Sequence, residues 1–318
     1  MTLQQRELVH QILRDAPFDL GGDVEAQRPL LEQMLTSQPM PDDVRVTRGE
    51  LGGVPVVFVD IDGVDARGTL FHAHGGGFAV GSARGSVGLA SAIARKTGLR
   101  AVSVDYRLAP EHPYPSALQD VTAAYRALVA QSGGADRVIV SGESAGGNLA
   151  IELLIAARDA GLPLPPASVL FSPMTDLTVA GASFAAKADA DPNITATAIR
   201  RRAHDYLDGT GTSADDPRVS PIFADLQGLP PLLVQAGSHE VLLDDATRLA
   251  VKAAADDVAV ILDVTPGVPH VFQAFAGLLD EGESALERAA RYITDRLAAS
   301  AVRPPADALV GAATGQPS

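Results

Sequence analysis

The chain has 318 residues, of which 46% are hydrophobic and 20% are charged, and it contains no cysteine. This composition is typical of a globular protein with a large core, and the lack of cysteine excludes disulfides, thiolate catalysis and cysteine-based metal sites. Because 39 acidic residues outnumber 25 basic ones, the net charge of −14 disfavours nucleic acid and anionic membranes as partners and favours small neutral or cationic ligands.

The N-terminal segment MTLQQRELVHQILRD carries charges throughout, so it lacks the apolar core of a signal peptide. No apolar run approaches the roughly 20 residues that a transmembrane helix needs. We therefore expect a cytoplasmic protein without stable membrane association.

The first forty or so residues predict two short helices, separated by a break at residues 21–23. Two β-branched stretches follow at 44–51 and 54–61. Gly52 and Gly53 separate them, which is the pattern of a β-hairpin.

From residue 69 onward, strand-like and helix-like stretches alternate. The predicted strands are 69–73, 101–105, 138–141, 168–171, 232–235 and 258–264, and the predicted helices include 86–97, 117–130, 148–160 and 242–255. Such alternation builds a mostly parallel sheet with helices on both faces, which binds ligands at the carboxyl ends of its strands. The predicted fold class is therefore α/β.

The segment 176–225 interrupts this alternation, because it is rich in Asp, Ala, Gly and Thr apart from one helical stretch at 196–207. We interpret it as part of a small helical cap. The C-terminal residues are rich in Ala, Pro and Gly without periodicity, which is typical of a flexible tail. The predicted division is 1–45 and 176–225 as the two cap segments, 46–175 and 226–299 as the catalytic domain, and 300–318 as the tail.

The sequence GESAGG at 142–147 lies between a predicted strand and a predicted helix. GxSxG in this context is the pattern of a nucleophile elbow, which holds Ser144 at the tip of a tight turn. The glycines keep strand and helix free of Cβ clashes, and the helix N-terminus favours developing negative charge. The alternative is a chance match in a loop, which the strand and helix disfavour.

The strand at 69–73 ends in HGGGF, at 74–78. Consecutive glycines let backbone N–H groups turn toward a ligand, as an oxyanion hole requires. A flexible turn is the alternative, and a phosphate-binding loop is disfavoured because neither glycine at position 80 nor Gly-Lys-Ser/Thr is present. His72 and His74 lack further ligands at metal-binding spacing, so we expect no metal site and a structural His74 that holds the glycine loop.

Five motifs in order resemble those of the hormone-sensitive-lipase-like (family IV) bacterial carboxylesterases. They are HGGGF at 74–78, YRLAPEHPYP at 106–115, GESAGG at 142–147, SPMTD at 172–176 and PHVF at 269–272, and the resemblance covers nearly the whole chain except the tail. It implies the α/β-hydrolase fold with a small helical cap. It also implies a serine carboxylesterase that needs no cofactor, acts on a small-molecule ester and can form a homodimer.

The resemblance implies that Ser144 is the nucleophile, that His270 is the base, and that the N–H groups of Gly76, Gly77 and Ala145 form the oxyanion hole. His270 follows the last predicted strand, in agreement with the order Ser, acid, His of this fold.

The motif around the catalytic acid departs from the commonest family pattern. That pattern is Asp-Pro-Leu with another acidic residue two positions after the leucine. The matching stretch here is SHEVLLDD at 238–245. Aligning Leu242 and Asp244 with the family's leucine and following acid makes Glu240 the catalytic acid, with Asp244 as the alternative. The related variant Ser-Asp-Glu has its aspartate replaced by His239. A glutamate reaches one methylene further but can still orient an imidazole.

We expect Phe78 and the two cap segments to line the acyl and alcohol pockets. The 9 Phe, 5 Tyr and absent Trp favour short acyl esters over lipid interfaces. A lactone hydrolase or an acetyl-hydrolase of a secondary metabolite would use the same residues and stays open. A non-catalytic small-molecule-binding homologue, like the gibberellin receptors, is disfavoured because those receptors lack the histidine that stands here at His270.

Overall fold

The computed structural model describes residues 3–37 and 40–302. Its strands are β1 (Val44–Leu51), β2 (Val54–Ile61), β3 (Thr69–Ala73), β4 (Arg100–Val104), β5 (Val138–Glu143), β6 (Ser168–Phe171), β7 (Leu232–Gly237) and β8 (Val260–Thr265). They form one sheet in the order β1-β2-β4-β3-β5-β6-β7-β8. β2 pairs antiparallel with β1 and β4, and all other neighbours are parallel. The predicted hairpin and the mostly parallel α/β sheet are confirmed.

The helices are α1 (Leu3–Arg14), α2 (Val24–Thr36), α3 (Val87–Thr97), α4 (Ser116–Ser132), α5 (Ala145–Asp159), α6 (Ser183–Ala186), α7 (Ala196–Leu207), α8 (Leu243–Ala255) and α9 (Asp280–Val302). In the described ranges, none is long and apolar enough to cross a membrane. The predicted tail, 300–318, starts with the last three residues of α9, and its remainder lies outside the described residues.

The central strands are buried on both faces because helices cover each side of the sheet. Neighbouring residues of one strand accordingly enter different cores. Val140, Leu170 and Val234 belong to the core that contains α4, α5 and α8, whereas Ile139 and Val169 belong to the core that contains α3 and α9.

The loops that follow β7 and β8 touch each other at the carboxyl edge of the sheet. The N–H of His239 donates to the carbonyl of Val268 at 3.0 Å. A Cβ on Gly237 would lie only 2.2 Å from that same carbonyl oxygen. Because both groups are backbone, only glycine permits this approach, and it fixes the relative position of the two loops.

Both segments that the sequence predicts as cap contact the site loops. Val9 and Leu13 of α1 share a hydrophobic cluster with Val268 and Phe272, which flank His270. The second segment contains α6 and α7, and the Tyr206 ring of α7 stacks on Phe78 in the loop after β3.

Candidate active site

Ser144 occupies the turn between β5 and α5 with φ 57° and ψ −122°. A positive φ is uncommon for a residue with a side chain and persists where the surroundings enforce it. Here the N–H of Ser144 donates to the carbonyl of Phe171 at 2.9 Å, and its carbonyl accepts from the N–H of Met174 at 3.0 Å. The end of β6 and the loop after it therefore hold the turn in the geometry of a nucleophile elbow.

Two glycines let α5 pack directly on the strand ends. A Cβ on Gly142 would lie 2.1 Å from the carbonyl oxygen of Gly146, and a Cβ on Gly146 would lie 2.0 Å from that of Ala73. Backbone atoms cannot move aside as a flexible side chain can. The close packing fixes the position of Ser144 relative to the end of β3.

Glu143 ties the glycine loop to the elbow. Its Oε1 accepts from the N–H of Gly75 at 2.8 Å and from Ser86 Oγ at 2.7 Å, and its Oε2 pairs with His72. Burial acts to raise the pKa of Glu143, but His72 and these hydrogen bonds outweigh it, and the pKa is lowered. The motif GESAGG draws attention to Ser144 and gives no sign of this role of Glu143, whose partners are distant in sequence.

The glycine loop also faces Ser144. A Cβ on Gly75 would lie 3.1 Å from the Cβ of Ser144. Gly76 and Gly77 have φ of 110° and 59°, which side chains disfavour. Within the described ranges, the N–H groups of Gly76, Gly77 and Ala145 donate to no protein acceptor. These N–H groups are therefore available to an acceptor from outside the protein.

His270 and Glu240 form a buried pair. His270 Nδ1 lies 3.2 Å from Glu240 Oε2; the Glu240 side chain is fully buried and that of His270 is 12% exposed. A carboxylate at Nδ1 fixes the imidazole tautomer that leaves Nε2 free to accept a proton. The predicted acid and base are thus brought together.

Ser144 and His270 are both anchored on the end of β6. Phe171 accepts the N–H of Ser144, and Ser172 Oγ accepts the N–H of Val271 at 3.0 Å. In the described part of the chain, no hydrogen bond joins Ser144 Oγ to His270. Such contacts commonly tighten only when substrate binds.

Asp244 is engaged elsewhere. Its Oδ2 accepts from the N–H of Ser183 at 3.0 Å, and its own N–H donates to Ser183 Oγ at 3.0 Å. These bonds hold the start of α8 to α6. The geometry therefore favours Glu240 over Asp244 as the partner of His270.

Comparison with known proteins agrees with this arrangement. A family model described as the alpha/beta hydrolase fold matches residues 70–274. The chain is 36% identical over 296 residues to an acetyl-hydrolase of Streptomyces hygroscopicus, covering 92% of this chain and 97% of that protein. It is 36% identical over 278 residues to an esterase of Acinetobacter venetianus, covering 87% and 91%.

Among solved structures, an esterase from the bacterial hormone-sensitive lipase family has a TM-score of 0.89 and 38% identity, with 93% of this chain and 99% of that chain covered. The chain belongs to the hormone-sensitive-lipase-like esterase family. The predicted α/β-hydrolase fold and the family resemblance are confirmed.

His74 and Phe78 of this α/β-hydrolase, for which the sequence predicts roles, are both buried at the glycine loop. His74 lies within 2.8 Å of the Gly75 carbonyl through Nδ1, and its ring stacks on Tyr106. This confirms the expectation that His74 holds the loop. Phe78 is fully buried, and its ring stacks on Tyr206 with centroids 3.9 Å apart. Among the described residues, no group of three or more His, Cys, Asp or Glu is suited to a metal ion.

In this hydrolase, Asp245 holds the SPMTD loop behind the elbow. Its Oδ2 accepts the N–H groups of Thr175 at 2.7 Å and Asp176 at 2.9 Å. Asp176 in turn pairs with Arg248. Complete burial raises the pKa of Asp245 to about 8, despite these two hydrogen bonds.

We expect Asp245→Asn to change the pH dependence of stability. The folded-state pKa of about 8 exceeds the unfolded value of about 3.9, so folded Asp245 binds more protons and its contribution to stability falls as pH rises between these values. Urea unfolding at about pH 5 and about pH 8 measures this. The unfolding free energy of the variant relative to wild type rises with pH.

Asp159→Asn serves as the control, because the Asp159 side chain is 62% exposed. It leaves the pH dependence of the wild type unchanged. Parallel pH profiles for wild type and Asp245→Asn would contradict the account of Asp245.

Proposed function

We propose that this chain is a serine carboxylesterase that hydrolyses short-chain carboxylic esters of small molecules through an acyl-enzyme. The observation that carries the proposal is the strained Ser144 turn beside the three unengaged N–H groups of Gly76, Gly77 and Ala145. A nucleophile and donors for an oxyanion are the two parts that acyl transfer needs at one point.

The remaining parts of the proposed triad are His270 and Glu240. Nε2 of His270 accepts the proton of Ser144 as Oγ attacks the ester carbonyl, and the three N–H groups bind the oxyanion of the tetrahedral intermediate. His270 then protonates the leaving alcohol. Water, deprotonated by His270, then attacks the acyl-enzyme carbonyl, which releases the acid and restores Ser144. Glu240 orients the imidazole and stabilises its charged form.

Restricted access to the site supports a small substrate. Ser144 is only 6% exposed, and α7 covers the loop after β3. We assign the segments 1–45 and 176–225 to the cap that lines the acyl and alcohol pockets. Phe78 remains a proposed substrate contact; in the structure it is fully buried and its ring stacks on Tyr206 of α7.

An acetyl-hydrolase activity is the second candidate. The relative from Streptomyces hygroscopicus carries that name and aligns with 92% of this chain. Removal of an acetyl group would use the same proposed residues and would place the smallest common acyl group in the pocket.

The proposal includes a homodimer and a cytoplasmic location. β8 is an edge strand of the sheet, and Ile261, Leu262 and Val264 on it are exposed. Exposed apolar side chains on an edge strand favour pairing with a second copy.

Hydrolysis of p-nitrophenyl esters from acetyl to palmitoyl tests the proposed activity and substrate size. We expect kcat/KM to be highest for the acetyl and butyryl esters and to fall steeply toward palmitoyl, because the closed cap leaves little room for a long chain. A maximum at palmitoyl would contradict the proposed substrate size. No turnover of any ester by the folded protein would contradict the proposed activity.

A further inference from the structure

Arg202 of α7 is the largest side chain that is fully buried in the described structure. Its Nη2 lies 2.7 Å from Asp205 Oδ2 and donates to the carbonyl of Gly22 at 3.1 Å. Its Nε and Nη1 have no hydrogen-bond partner among the described residues. Leaving buried donors unsatisfied costs free energy, so native proteins seldom keep such groups without a reason.

These free donors belong to a residue whose aliphatic stem packs on the glycine loop after β3. A Cβ on Gly77 would lie 2.5 Å from Cγ of Arg202 and 2.8 Å from its Cβ. One turn further along α7, Tyr206 stacks on Phe78. The face of α7 that carries Arg202 and Tyr206 therefore lies against the loop that contains Gly77 and Phe78.

Arg202 lacks hydrogen-bond acceptors rather than a counter-charge. Burial lowers the pKa of its guanidinium, and the carboxylates of Asp205, Asp19 and Asp23 act in the opposite direction. An arginine stays charged under all ordinary conditions. Asp19 and Asp23 already accept backbone N–H groups of their own turns. An oxygen atom from outside the protein would satisfy the two donors.

We propose that Arg202 is a specificity-determining residue whose Nε and Nη1 bind an oxygen acceptor of the substrate. The favoured substrates are esters whose acyl or alcohol part carries a carboxylate, carbonyl or hydroxyl oxygen. This inference rests on the proposed ester hydrolysis. An apolar ester of the same size leaves both donors unsatisfied, and a site built around a hydrogen bond discriminates strongly against an analogue that lacks it.

The test compares kcat/KM for matched esters. Hydrolysis is monitored by pH-stat titration of the acid that is released. Ethyl pentanoate, ethyl 4-oxopentanoate and monoethyl succinate differ on the acyl side, and propyl acetate and acetoxyacetate differ on the alcohol side. The wild type is expected to prefer an oxygenated ester over its apolar match in at least one series. Arg202→Met is expected to lower that preference about tenfold or more.

Arg201→Met is the matched control, because Arg201 is the preceding residue and its side chain is 53% exposed. It leaves the preference unchanged. Arg202→Met leaves the largely buried Asp205 carboxylate without its partner, and removing one partner of a buried ion pair is destabilising. Arg202→Gln, which keeps an N–H donor for Asp205, therefore provides a second variant if the methionine variant does not fold. The carbonyl and carboxylate arms distinguish a neutral acceptor from a charged one.

Turnover with the same preference in the wild type and both Arg202 variants would overturn the inference. Arg202 would then serve only to clamp α7 to the N-terminal segment through Gly22, and loss of thermal stability would be the sole effect of its removal. Absence of turnover for every ester in the wild type would instead refute the proposed function and, with it, the inference.

Discussion

Ser144→Ala lowers kcat for p-nitrophenyl butyrate by about 10⁶, to the level that binding and the oxyanion hole alone support. The reason is that the proposed route passes through a covalent bond to Ser144 Oγ, which no neighbouring group replaces. The fold is retained, because in the described structure the Ser144 side chain makes no capping hydrogen bond to α5 that the substitution could break. Steady-state hydrolysis and thermal unfolding of the variant measure both statements.

Ser91→Ala is the matched control for this experiment. Ser91 is also buried, but its hydroxyl donates to the Gly88 carbonyl at 3.0 Å within α3, away from the elbow. Its removal leaves kcat near the wild-type value. Turnover by Ser144→Ala at the wild-type rate would remove Ser144 from the mechanism.

Glu240→Gln lowers kcat by about 10⁴, the size of effect seen when the acid of such a triad becomes an amide. The amide can still touch His270 Nδ1, but it neither enforces the productive tautomer nor stabilises the imidazolium. Because the Glu240 side chain is fully buried, water cannot replace the lost charge. Measurement of kcat with p-nitrophenyl butyrate, beside a thermal unfolding curve, separates this loss from unfolding.

Asp244→Asn provides the comparison, since the two carboxylates compete for the same role in the motif. Its amide oxygen can still accept the N–H of Ser183, so kcat falls less than about tenfold. A larger loss for Asp244→Asn than for Glu240→Gln would move the acid to Asp244.

Much of the fold follows from local sequence signals. The helix predicted at 196–207 has those bounds in the structure, where Thr195 caps it by accepting the N–H of Ala198. Strands β5 and β7 extend further than predicted, to Glu143 and Gly237. Glutamate and glycine have weak strand propensity, and pairing with β6 and β8 overrides it.

The contacts of the site could be predicted only in part. Motif order places Ser144, Glu240 and His270 after different strands, which are β5, β7 and β8 in the structure. The topology of the fold brings the carboxyl ends of these parallel strands to one edge. Spacing gave no indication that Arg202 packs on Gly77, since the contact joins two distant segments through a glycine that has no side chain to mark it.

The sequence also gives no indication that the neighbouring residues Asp244 and Asp245 have different roles. Asp244 bonds to Ser183, whereas Asp245 holds the N–H groups of Thr175 and Asp176. Adjacent residues in the first turn of a helix point about 100° apart, so their partners depend on what packs on each side.

The most direct test of the central claim is covalent trapping of the nucleophile. The wild-type protein is treated with diethyl p-nitrophenyl phosphate, and its peptides are sequenced by mass spectrometry. We expect one diethylphosphoryl group on Ser144, loss of esterase activity in proportion to labelling, and no label in Ser144→Ala. Stoichiometric labelling of a different residue, or full inactivation with Ser144 unmodified, would contradict it.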